Sequence, residues 1–512
     1  MTLVSCFNKI FETYADKVAI EFADKKVTFD ELNKNSNRIA NALKDIGVNK
    51  GGRVALYLAN NLELIYSFTG ILKNGSVVVP MNNSFKEKEA EHLLNNSAAE
   101  AIITDKECLP IIKKILKELN ELKYIIITDN NENGVKNNSI EFISYNEFIN
   151  NASDGNPDVE INDEDGSIMF YTSGTTGRSK GALLSHKNME SDLEALKRAW
   201  HLTENDKQIL TLPLFHIHGL GVALCGAFYN GYSFVLRKKF DAEEVLKLIE
   251  EKKATLFMGV PAMYIKILQV KDKEKYDTNS MRLFVSGSAP LSAETFKEFK
   301  DTFGHEILER AGMSETNMNF SNPYGGKRKP GTVGPVLPCV KVKITDENFN
   351  ELPQGKEGSI LIRGDNVFKG YWNAPEKTKE SFHGGWFITG DLGKIDEEGY
   401  VIFLGRSKDL IISGGLNIYP AEVEEVINTH PSALESAVIG VPDKCFGEAV
   451  KACVVLRENK KASKEEIIAY CKQRLASYKK PKYVEFIDTL PKNSMGKVQK
   501  NVLREREKTN SK

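Results

Sequence analysis

Alternation of strand-like and helix-like segments is the sequence feature that most constrains this chain. Residues 18–22 read as a strand, and the sequence TFDE at 28–31 has the form of a capping box that begins a helix ending at Gly47. Residues 54–58 and 77–80 are strand candidates on either side of another helix. Because strand, helix, strand units produce parallel sheets covered by helices, the pattern predicts an α/β fold whose large N-terminal domain contains doubly wound sheets.

A change of pattern after Gly405 predicts a second, smaller domain. The segments become short, and roughly a hundred residues remain, which is an ordinary size for a domain. We expect an α+β domain with its boundary near residues 406–409. Helices are expected near 420–428 and 464–475, and strands near 437–441 and 452–456.

The charge balance excludes several kinds of partner. Lys and Arg total 69 against 70 Asp and Glu, so the formal net charge of -1 provides no broad field for nucleic acid or an anionic membrane. The sequence has no apolar run near the roughly 18 residues of a membrane-spanning helix and no basic, apolar secretory signal at its N-terminus. We therefore expect a cytoplasmic protein with local binding sites, without nucleic acid or integral membrane contact.

Several conspicuous groups of residues are more simply explained by structure than by chemistry. The seven cysteines lie far apart without a C-x-x-C spacing, so reduced thiols inside the fold are expected. The polar stretch DNNENGVKNN at 129–138 is expected to be an exposed loop. A basic group near the C-terminus could hold an anion, although a solvated helical face is the commoner meaning of such a run. Its members are Lys479, Lys480, Lys482, Lys500, Arg504 and Arg506.

The sharpest local signal is the sequence YTSGTTGRSKG at 171–181, which lies between the apolar stretches 168–170 and 182–184. Its glycines let backbone N–H groups approach an anion, and its hydroxyls and Lys180 add donors for phosphate oxygens. The spacing does not match a Walker A loop. The pattern therefore predicts a polyphosphate cradle between two strands, with a flexible Ser/Gly turn as the alternative.

This loop and several further segments resemble the adenylate-forming superfamily of acyl-CoA synthetases, luciferases and peptide-synthetase adenylation domains. The resemblance runs over residues 10–505. It implies an ATP-dependent acid:CoA ligase, which converts a carboxylic acid, ATP and coenzyme A into acyl-CoA, AMP and pyrophosphate through an acyl-AMP intermediate. The matching segments are GSAP at 287–290, GMSET at 312–316, TGD at 389–391, GRSKDL at 405–410, SGGLN at 413–417 and PKNSMGK at 491–497.

The same resemblance implies which residues bind ATP and Mg²⁺. Glu315 and Thr175 are implied to bind the metal, and Asp391 is implied to accept hydrogen bonds from both ribose hydroxyls. Ala311 stands where the family commonly has an aromatic residue that stacks on the adenine, so that stacking is lost. The implied nucleotide-binding residues are Thr172, Ser173, Gly174, Thr175, Thr176, Gly177, Lys180, Ser288, Ala289, Glu309, Arg310, Ala311, Gly312, Met313, Ser314, Asp391, Arg406 and Lys497.

Lys497 is implied to be the central catalytic residue, together with Glu315 and Lys180. In the family, the matching lysine enters the active site during adenylation and bridges the acid and the α-phosphate. The reaction needs no covalent enzyme intermediate, so the protein has to neutralise developing charge and hold the line of attack.

A rotation of the C-terminal domain between two steps is also implied. The family places the lysine loop in the site for adenylation, and it places the segment containing Ser413, Gly414 and Gly415 along the pantetheine arm of CoA for thioester formation. Lys408 matches the pivot. The implied domains are 1–405 for AMP and acyl binding, 406–409 as the hinge, and 410–512 as the mobile domain that carries the catalytic lysine.

Within the superfamily, the closest resemblance is to malonyl-CoA synthetases, over residues 309–324, 366–371, 390–400 and 495–505. Lys266 stands where we expect an arginine that grips a distal carboxylate, and lysine keeps the charge but loses the bidentate fork. Malonate or a methylmalonate-like acid is the expected substrate, with fatty acids of short to long chain, oxalate and aryl acids as alternatives. The implied acyl-binding residues are His216, Ile217, Lys266, Arg282, Ser288 and Met318.

Two histidines near this pocket are weak candidates for a metal site. His216 and His218 are two residues apart, without a companion Cys or acidic cluster in the sequence. We expect His216 to be a wall of the acyl pocket and His218 to be structural.

Two rival classes share the fold. A catalytically silent acyl-CoA or AMP sensor would lack key charged residues, whereas Lys497, Glu315 and Asp391 are all present. An adenylating enzyme that serves a carrier-protein thiol would share the first half-reaction, and no attached carrier domain is visible in the sequence. A monomer or a homodimer is expected.

Overall fold

The structure is a computed structural model that describes residues 1–129, 136–137, 140–172, 179–443, 446–493 and 496–510. A π-helix covers His218–Leu224, and short 3₁₀ turns cover Leu116–Glu118, Lys273–Lys275 and Ser407–Asp409. The α-helices are α1 (Leu3–Thr13), α2 (Phe29–Asp45), α3 (Leu62–Lys73), α4 (Glu87–Ser97), α5 (Leu109–Lys114), α6 (Tyr145–Asn150), α7 (His186–Trp200), α8 (Cys225–Asn230), α9 (Ala242–Lys252), α10 (Pro261–Leu268), α11 (Ala293–Phe303), α12 (Pro375–Glu380), α13 (Pro420–Asn428), α14 (Lys464–Arg474) and α15 (Lys500–Asn510).

The strands follow the same chain order. They are β1 (Val18–Phe22), β2 (Lys25–Thr28), β3 (Arg53–Tyr57), β4 (Val77–Pro80), β5 (Ala101–Thr104), β6 (Tyr124–Ile127), β7 (Lys136–Asn137), β8 (Ile140–Ser144), β9 (Gly166–Thr172), β10 (Lys180–Ser185), β11 (Lys207–Leu210), β12 (Ser233–Leu236), β13 (Leu256–Gly259), β14 (Leu283–Ser286), β15 (Ile307–Met313), β16 (Asn317–Ser321), β17 (Val340–Thr345), β18 (Gly358–Gly364), β19 (Gly370–Tyr371), β20 (Phe382–His383), β21 (Trp386–Ile395), β22 (Val401–Arg406), β23 (Ile411–Ser413), β24 (Leu416–Ile418), β25 (Ala433–Asp443), β26 (Gly447–Leu456) and β27 (Tyr483–Phe486).

Most of these strands form large sheets whose central strands are parallel. One sheet has the order β16-β15-β14-β13-β11-β12-β1-β2, and another has the order β19-β10-β9-β4-β3-β5-β6-β8-β7. Antiparallel pairs lie at their edges, for example β1 with β2 and β9 with β10. The predicted α/β fold with a large N-terminal part is therefore confirmed.

The first strands and helices begin where the sequence pattern indicates. In the capping box of α2, Thr28 Oγ1 accepts a hydrogen bond from the Glu31 N–H at 3.1 Å, and the Glu31 carboxylate accepts one from the Thr28 N–H at 2.8 Å. Gly47 follows the helix with φ +83°, a conformation that favours glycine. β4 has the predicted bounds, because its short apolar run is buried along its full length.

The two large sheets share one hydrophobic core. It contains Ile20 and Phe234 from the first sheet and Val54 and Ile168 from the second, all with no exposed surface. A shared core fixes the two sheets relative to each other, because dense interiors do not deform continuously. The carboxyl ends of both sets of strands are thereby held in fixed positions.

The C-terminal unit, residues 410–510, has its own sheet of order β24-β23-β26-β25, with β27 parallel to β26. Helices α13 and α14 bury Val423 and Ile427, and Ile467 and Cys471, in its core. The predicted α+β architecture is confirmed, with strands β25 and β26 longer than expected. These strands pair along their whole length, so their exposed ends stay hydrogen-bonded.

Some expectations for polar segments change. Lys136 and Asn137 pair with β8 as a short strand, where the sequence suggested only loop, and most of the stretch 129–138 lies outside the described residues. Within the C-terminal unit and its boundary, carboxylates pair with several basic residues of the tail, which therefore form a charge-balanced surface. The pairs are Lys479 with Glu422, Lys482 with Asp443, Lys500 with Glu424 and Arg504 with Asp409.

Two further features concern cysteines and membranes. The cysteines in the described residues have free thiols, and apart from Cys339 they are buried. Cys445 lies outside the described residues. A search of the described helices finds none that combines the length and the apolar composition needed to cross a membrane.

Candidate active site

The predicted phosphate cradle lies between β9 and β10. These strands pair antiparallel, and Thr172 lies opposite Lys180 at the open end of the pair. Ser173, Gly174, Thr175, Thr176 and Gly177, which the sequence assigns to the cradle and to Mg²⁺, lie outside the described residues. The strand pair therefore fixes only the two ends of the cradle. At one end, Lys180 Nζ lies 5.0 Å from the centroid of the Tyr371 ring, within cation–π distance.

Glu315 is held beside the cradle by the same tyrosine. Its side chain is buried, and its Oε1 accepts a hydrogen bond from Tyr371 Oη at 2.9 Å. Its main-chain carbonyl accepts from the Phe368 N–H at 2.8 Å. Burial raises the pKa of Glu315, against the opposing effects of the Tyr371 hydrogen bond and of Arg406. Sequence reasoning did not select Tyr371, although it lies within a stretch that matches malonyl-CoA synthetases.

The donor set fits Mg²⁺ in the way nucleotide enzymes use it. Mg²⁺ takes oxygen ligands and is usually bound by one or two carboxylates together with substrate phosphates and waters. Glu315 can supply one such carboxylate next to the ends of the cradle. In the described part of the chain no group of three or more His, Cys, Asp or Glu could hold a metal by itself.

Asp391 and Arg406 face each other on neighbouring strands. They are register partners in β21 and β22, and Arg406 Nε lies 2.9 Å from Asp391 Oδ1. Arg406 Nη1 also donates to the Thr389 carbonyl at 2.9 Å, and the Asp391 N–H donates to Thr389 Oγ1 at 3.0 Å. Burial raises the pKa of Asp391, while Arg406 and Lys497 oppose that rise. The aspartate is thus held rigidly with acceptor capacity left for hydroxyls.

Lys497 lies in a tight loop that faces this pair. Its N–H donates to Asn493 Oδ1 at 2.9 Å, and its carbonyl accepts from the Asn493 N–H at 3.0 Å. Gly496 has φ +73°, and a Cβ there would lie 3.8 Å from Cβ of Ala262 on α10. Burial of the ammonium lowers the pKa of Lys497, Arg406 lowers it further, and Asp391 opposes both effects. The loop of the C-terminal unit therefore lies close to α10 of the large part of the molecule.

The turn after β14 is supported from below by two consecutive residues of β15. Ser288 has φ +69°, a strained value for a residue other than glycine. The buried Glu309 accepts a hydrogen bond from the Leu291 N–H at 2.9 Å, and burial raises the pKa of Glu309 to about 8. A Cβ on Gly287 would lie 2.6 Å from Cζ of Arg310, so the guanidinium packs directly against the glycine.

These contacts change the roles of Glu309 and Arg310. The sequence assigned both to the nucleotide, but both are buried beneath the turn. Glu309 supports the turn, and Arg310 lies near His218, whose pKa burial lowers and Arg310 lowers further. The motif match located the strand correctly, whereas the orientation of each side chain depends on strand alternation and packing.

The remaining nucleotide candidates follow in the chain. Ala311 and Met313 are half-buried against the main core, and Ala289 and Ser314 are half-buried beside the turns. Gly312 is required sterically, because a Cβ there would lie 1.9 Å from the carbonyl oxygen of Asn317. The backbone path at this bend therefore admits only glycine.

His218 begins a π-helix and His216 lies just before it, a feature that the sequence did not reveal. π-helical turns occur mostly as local insertions and often at functional sites. A Cβ on Gly219 would lie 2.2 Å from the Pro213 carbonyl oxygen, so this turn needs glycine. His218 Nδ1 lies 3.2 Å from Ser288 Oγ, which connects the π-helix to the turn after β14. Burial lowers the pKa of His216 to about 4 and the pKa of His218 well below its usual value, so both are neutral.

Arg282 does not bind the acyl substrate, contrary to the sequence-based expectation. Its Nε and Nη2 contact the buried Asp206 carboxylate at 2.6 Å and 2.5 Å, and its Nη1 donates to the Trp200 carbonyl at 2.9 Å. Arg282 precedes β14, whereas Ser288 follows that strand, so the two residues lie at opposite ends of the strand. The guanidinium is fully used in joining strands, and the sequence match did not show its partner.

The other acyl candidates divide into buried and exposed residues. Ile217 and Met318 are buried, and the Met318 N–H donates to Asp192 Oδ1 at 2.9 Å. Lys266 is exposed on α10. It lies four residues after Ala262, and therefore on the helix face that meets the loop of Lys497. Lys266 is thus exposed on the side of α10 that faces the C-terminal unit.

The glycine pair proposed for CoA forms a hairpin turn. Gly414 and Gly415 have φ +58° and +79° between β23 and β24, as in the two-residue turns that match strand twist. The turn is open, with exposed Ile412, Leu416 and Phe446 around it. Lys408 lies in the exposed 3₁₀ turn that follows β22. The turn and the lysine loop are thus separate features of the C-terminal unit, and the latter faces Asp391.

Comparisons with known proteins agree with this geometry. Residues 7–372 match the AMP-binding enzyme family, and residues 422–497 match the AMP-binding enzyme C-terminal domain. The first match covers more than half of the chain, so this protein belongs to the AMP-binding enzyme family. The resemblance to the adenylate-forming superfamily is confirmed, and the chain is an AMP-forming acid:thiol ligase.

Several solved and curated relatives cover the whole chain. ATP-bound MatB from Rhodopseudomonas palustris is 40% identical, with a TM-score of 0.91 and 100% of both chains covered. The anthranilate CoA ligase AuaEII in complex with anthranoyl-AMP is 31% identical, with a TM-score of 0.92 over 100% of this chain and 98% of that one. A long-chain-fatty-acid–CoA ligase of Bacillus subtilis (strain 168) is 36% identical over 99% of this chain and 95% of its own length. These relatives share the class of acid:CoA ligases, whereas the acids that they activate differ.

Proposed function

We propose that this enzyme is a malonyl-CoA synthetase, which activates malonate as malonyl-AMP and transfers the malonyl group to CoA. The observation that carries the proposal is the state of Arg310. Its side chain is buried, and among the described residues its Nε and Nη2 have no hydrogen-bond partner. Burial lowers the pKa of Arg310 to about 10, which leaves the guanidinium charged at neutral pH.

The two unpaired N–H groups lie on one edge of the guanidinium, and this edge fits a carboxylate. Nε and Nη2 donate in parallel, which matches the two oxygens of a carboxylate in a bidentate pair. A buried cation without a partner is strongly unfavourable. Binding of a ligand with an anionic group beside Arg310 is therefore favoured. A fatty acid would leave this donor edge unpaired, whereas the second carboxylate of malonate would satisfy it.

The groups around Arg310 leave its charge for the ligand. Asp192 is buried, its Oδ2 has no partner among the described residues, and burial raises its pKa to about 8. It is therefore largely protonated at pH 7. His218 is neutral, and its Nε2 is also unpaired in the described part of the chain. Because these neighbours are uncharged, the surroundings of Arg310 keep a net positive charge, which suits a short diacid.

Similarity gives additional support for this acid and also names the alternatives. Structures of MatB, a malonyl-CoA synthetase, match this chain at 40 and 41% identity over its full length. Curated relatives named long-chain-fatty-acid–CoA ligases match at 31 to 36%. The similarity alone therefore supports an acyl-CoA or aryl-CoA ligase, and Arg310 is the reason to prefer malonate over a fatty acid.

The proposed mechanism follows from the charged residues of the site. A carboxylate oxygen of malonate attacks the α-phosphorus of ATP, and pyrophosphate leaves. Lys497 neutralises charge that develops between the acid and the α-phosphate, and Asp391 fixes the ribose with Arg406 behind it. Glu315 would hold Mg²⁺, which would supply positive charge for the phosphates.

The second half-reaction needs a different arrangement of the C-terminal unit. The CoA sulfur attacks the acyl carbon of malonyl-AMP, and AMP leaves. We propose that the unit rotates about Lys408, which withdraws the loop of Lys497 and brings the Gly414 and Gly415 turn to the thiol. The open space around Gly415 leaves room for a close approach of the pantetheine arm.

Substitution of Arg310 tests the proposed acid specificity. Because each hydrogen bond to a charged group contributes about 1.5 to 3 kcal/mol, Arg310→Gln should lower kcat/KM for malonate about 100-fold. The value for butyrate should stay within about threefold, since a monoacid gains nothing from the cation. Acid-dependent ATP–pyrophosphate exchange measures both substrates without CoA.

A matched control is Lys266→Gln, which removes the cation that the sequence first suggested but that is exposed on α10. This variant should leave kcat/KM for malonate and for butyrate nearly unchanged. Equal losses for malonate and butyrate in Arg310→Gln would show a structural role for the arginine and contradict the proposed selectivity. Thermal unfolding of both variants identifies a general loss of structure.

A further inference from the structure

A surface ion pair joins the C-terminal unit to the large part of the molecule and contains no residue that the mechanism uses. Arg457 Nη2 lies 2.8 Å from Glu294 Oε1, and we call this pair the latch. Arg457 directly follows β26 of the C-terminal unit, and Glu294 lies in the first turn of α11 in the large part. The partners are 163 residues apart in sequence. The latch therefore depends on how the two bodies are oriented.

The backbone of each partner is fixed to its own body. The Arg457 N–H donates to the Ser432 carbonyl at 2.9 Å, within the C-terminal unit. In the large part, Ser292 caps α11, and its Oγ accepts from the Thr295 N–H at 3.1 Å. A carboxylate in the first turn, such as that of Glu294, is favoured by the helix dipole. Movement of either body therefore moves its charged group with it.

Other ion pairs of the C-terminal unit cannot influence its orientation in this way. Lys479 pairs with Glu422, and Lys492 pairs with Glu435, so both pairs lie inside the unit and move with it. A contact shifts an equilibrium between two orientations only if its free energy differs between them. The latch meets this condition, because its two partners belong to different bodies.

The interface around α13 offers contacts of modest strength. A Cβ on Gly331 of the large part would lie 3.8 Å from Glu425 Oε1 on α13, so the glycine itself leaves a gap. Burial raises the pKa of Tyr419, just before α13, and the charge and the hydrogen bond of Glu357 raise it further. Polar interfaces between domains commonly allow relative motion. One ion pair can therefore bias the orientation of the unit.

We propose that Arg457 is a positioning residue, which favours the orientation for adenylation through the latch. This inference rests on the rotation about Lys408 proposed above. The orientation that forms the latch also brings Lys497 to where its charge interacts with Asp391. Rotation carries Arg457 away from Glu294, so the latch is absent when CoA reacts. A weak pair suits this purpose, because a strong one would hold the unit and slow the second step.

The test compares single-turnover rates of the two half-reactions in the full-length variant Arg457→Glu. Acyl-AMP formation measures the first rate, and thioester formation from supplied acyl-AMP with saturating CoA measures the second. The ratio of the two rates follows the ratio of the two orientations, whichever one dominates. An exposed ion pair changes such a ratio about 1.5- to 5-fold, and the reversed charge adds repulsion of similar size. The adenylation-to-thioester ratio should therefore fall about 2- to 25-fold.

Charge exchange and salt sharpen the test. The double variant Arg457→Glu, Glu294→Arg should return the ratio to within about twofold of the wild type. Salt screens attraction in the wild type and repulsion in Arg457→Glu. Added potassium chloride should therefore lower the ratio in the wild type and raise it in Arg457→Glu, each relative to the control variant.

The matched control is Arg38→Glu, which breaks an ion pair inside the large part. Arg38 Nη2 lies 3.1 Å from Asp154 Oδ2, and the two side chains are 35% and 48% exposed, against 34% and 47% for Arg457 and Glu294. This variant should leave the ratio of the two half-reactions unchanged.

The outcomes distinguish the latch from the proposed function. A ratio in Arg457→Glu equal to that of the control, or a double variant that does not recover, would overturn the latch. Lys408→Pro should slow thioester formation selectively, and a variant that keeps both rates would contradict the rotation and the latch together. The acid used is the one with the fastest exchange in the wild type. A failure of malonate would therefore contradict the proposed acid and leave the ratio test intact.

Discussion

The two walls of the active site differ in how their charges are satisfied. The nucleotide wall consists of Glu315, Asp391, Arg406 and Lys497, whose charged groups interact with one another or with Tyr371. The acyl wall consists of Asp192, His218, Ser288 and Arg310, and it contains buried polar atoms with no partner among the described residues. One wall is complete without substrate, and the other is not.

This difference separates chemistry from specificity. Charges that already hold one another are preorganised, so they can act on a transition state without reorganising. Buried donors without partners are unfavourable until a ligand satisfies them, so they select a ligand by its polar groups. Substitutions in the nucleotide wall should therefore lower the rate with every acid equally. Substitutions in the acyl wall should instead change the preference between acids.

The strongest test of the nucleotide wall is Lys497→Ala. Removal of one preorganised charged donor costs on the order of 10²- to 10³-fold in rate, so malonate-dependent ATP–pyrophosphate exchange should fall by that factor. Butyrate-dependent exchange should fall equally. Thioester formation from supplied malonyl-AMP should be less affected, because the proposed mechanism uses Lys497 in adenylation.

A suitable control for this variant is Lys492→Ala, on the same loop but paired with Glu435. It should retain exchange activity within a few-fold of the wild type. Equal losses in both half-reactions of Lys497→Ala would show that the lysine serves the fold or both steps, and the distinction between the walls would lose its basis.

A smaller effect, confined to the acyl wall, is expected from Gly287→Ala. The new methyl group would lie 2.6 Å from Cζ of Arg310 and would displace the guanidinium. Loss of part of a charged hydrogen bond should lower kcat/KM for malonate about tenfold while butyrate stays within about threefold. Steady-state kinetics with both acids measure the ratio.

Gly325→Ala is the matched control, because a Cβ at Gly325 meets no atom within 4 Å. This variant should change kcat/KM for neither malonate nor butyrate. If Gly287→Ala lowers kcat/KM for both acids in parallel, Arg310 supports the structure of the site and does not select between acids.

The smallest expected effect concerns stability and pH at the boundary between the walls. Glu309 has a pKa of about 8 in the folded protein, raised by burial above its usual value near 4.5. The folded state therefore holds a proton that the unfolded state releases, so the stabilisation is fully present below about pH 4.5 and is lost as pH rises through 8.

Glu309→Gln removes this titration and keeps an amide that can still accept from the Leu291 N–H. Relative to the wild type, the variant should gain stability on the order of 1 kcal/mol between pH 7 and pH 8.5. Urea unfolding at both pH values measures the difference. A constant difference would show that Glu309 does not change its protonation on unfolding in this range.

The sequence predicted the fold and the nucleotide wall better than the acyl wall. The strand and helix periodicity located β1, β4 and α2, since burial and capping are local properties. Motif matches also selected Asp391 and Lys497, whose charges interact in the structure. The role of Tyr371 was missed, since its partner Glu315 is distant in sequence.

The acyl wall could not be predicted because it depends on tertiary contacts between buried residues. Arg282 and Arg310 are chemically the same, and only the structure shows that Asp206 occupies the first while the second keeps two free donors. The π-helix at His218 likewise arises from close packing of Gly219 on Pro213 and has no clear periodic signal. Specificity is therefore the part of the function that required the structure.

The central claim is that an unpaired buried arginine selects a diacid, and acid-dependent ATP–pyrophosphate exchange by the wild-type enzyme tests it most directly. The acids to compare are malonate, methylmalonate, acetate, butyrate, octanoate and anthranilate, each at several concentrations. The account predicts that malonate gives the highest kcat/KM, at least tenfold above every monoacid. A higher value for butyrate, octanoate or anthranilate would contradict it and would assign Arg310 to the framework of the pocket.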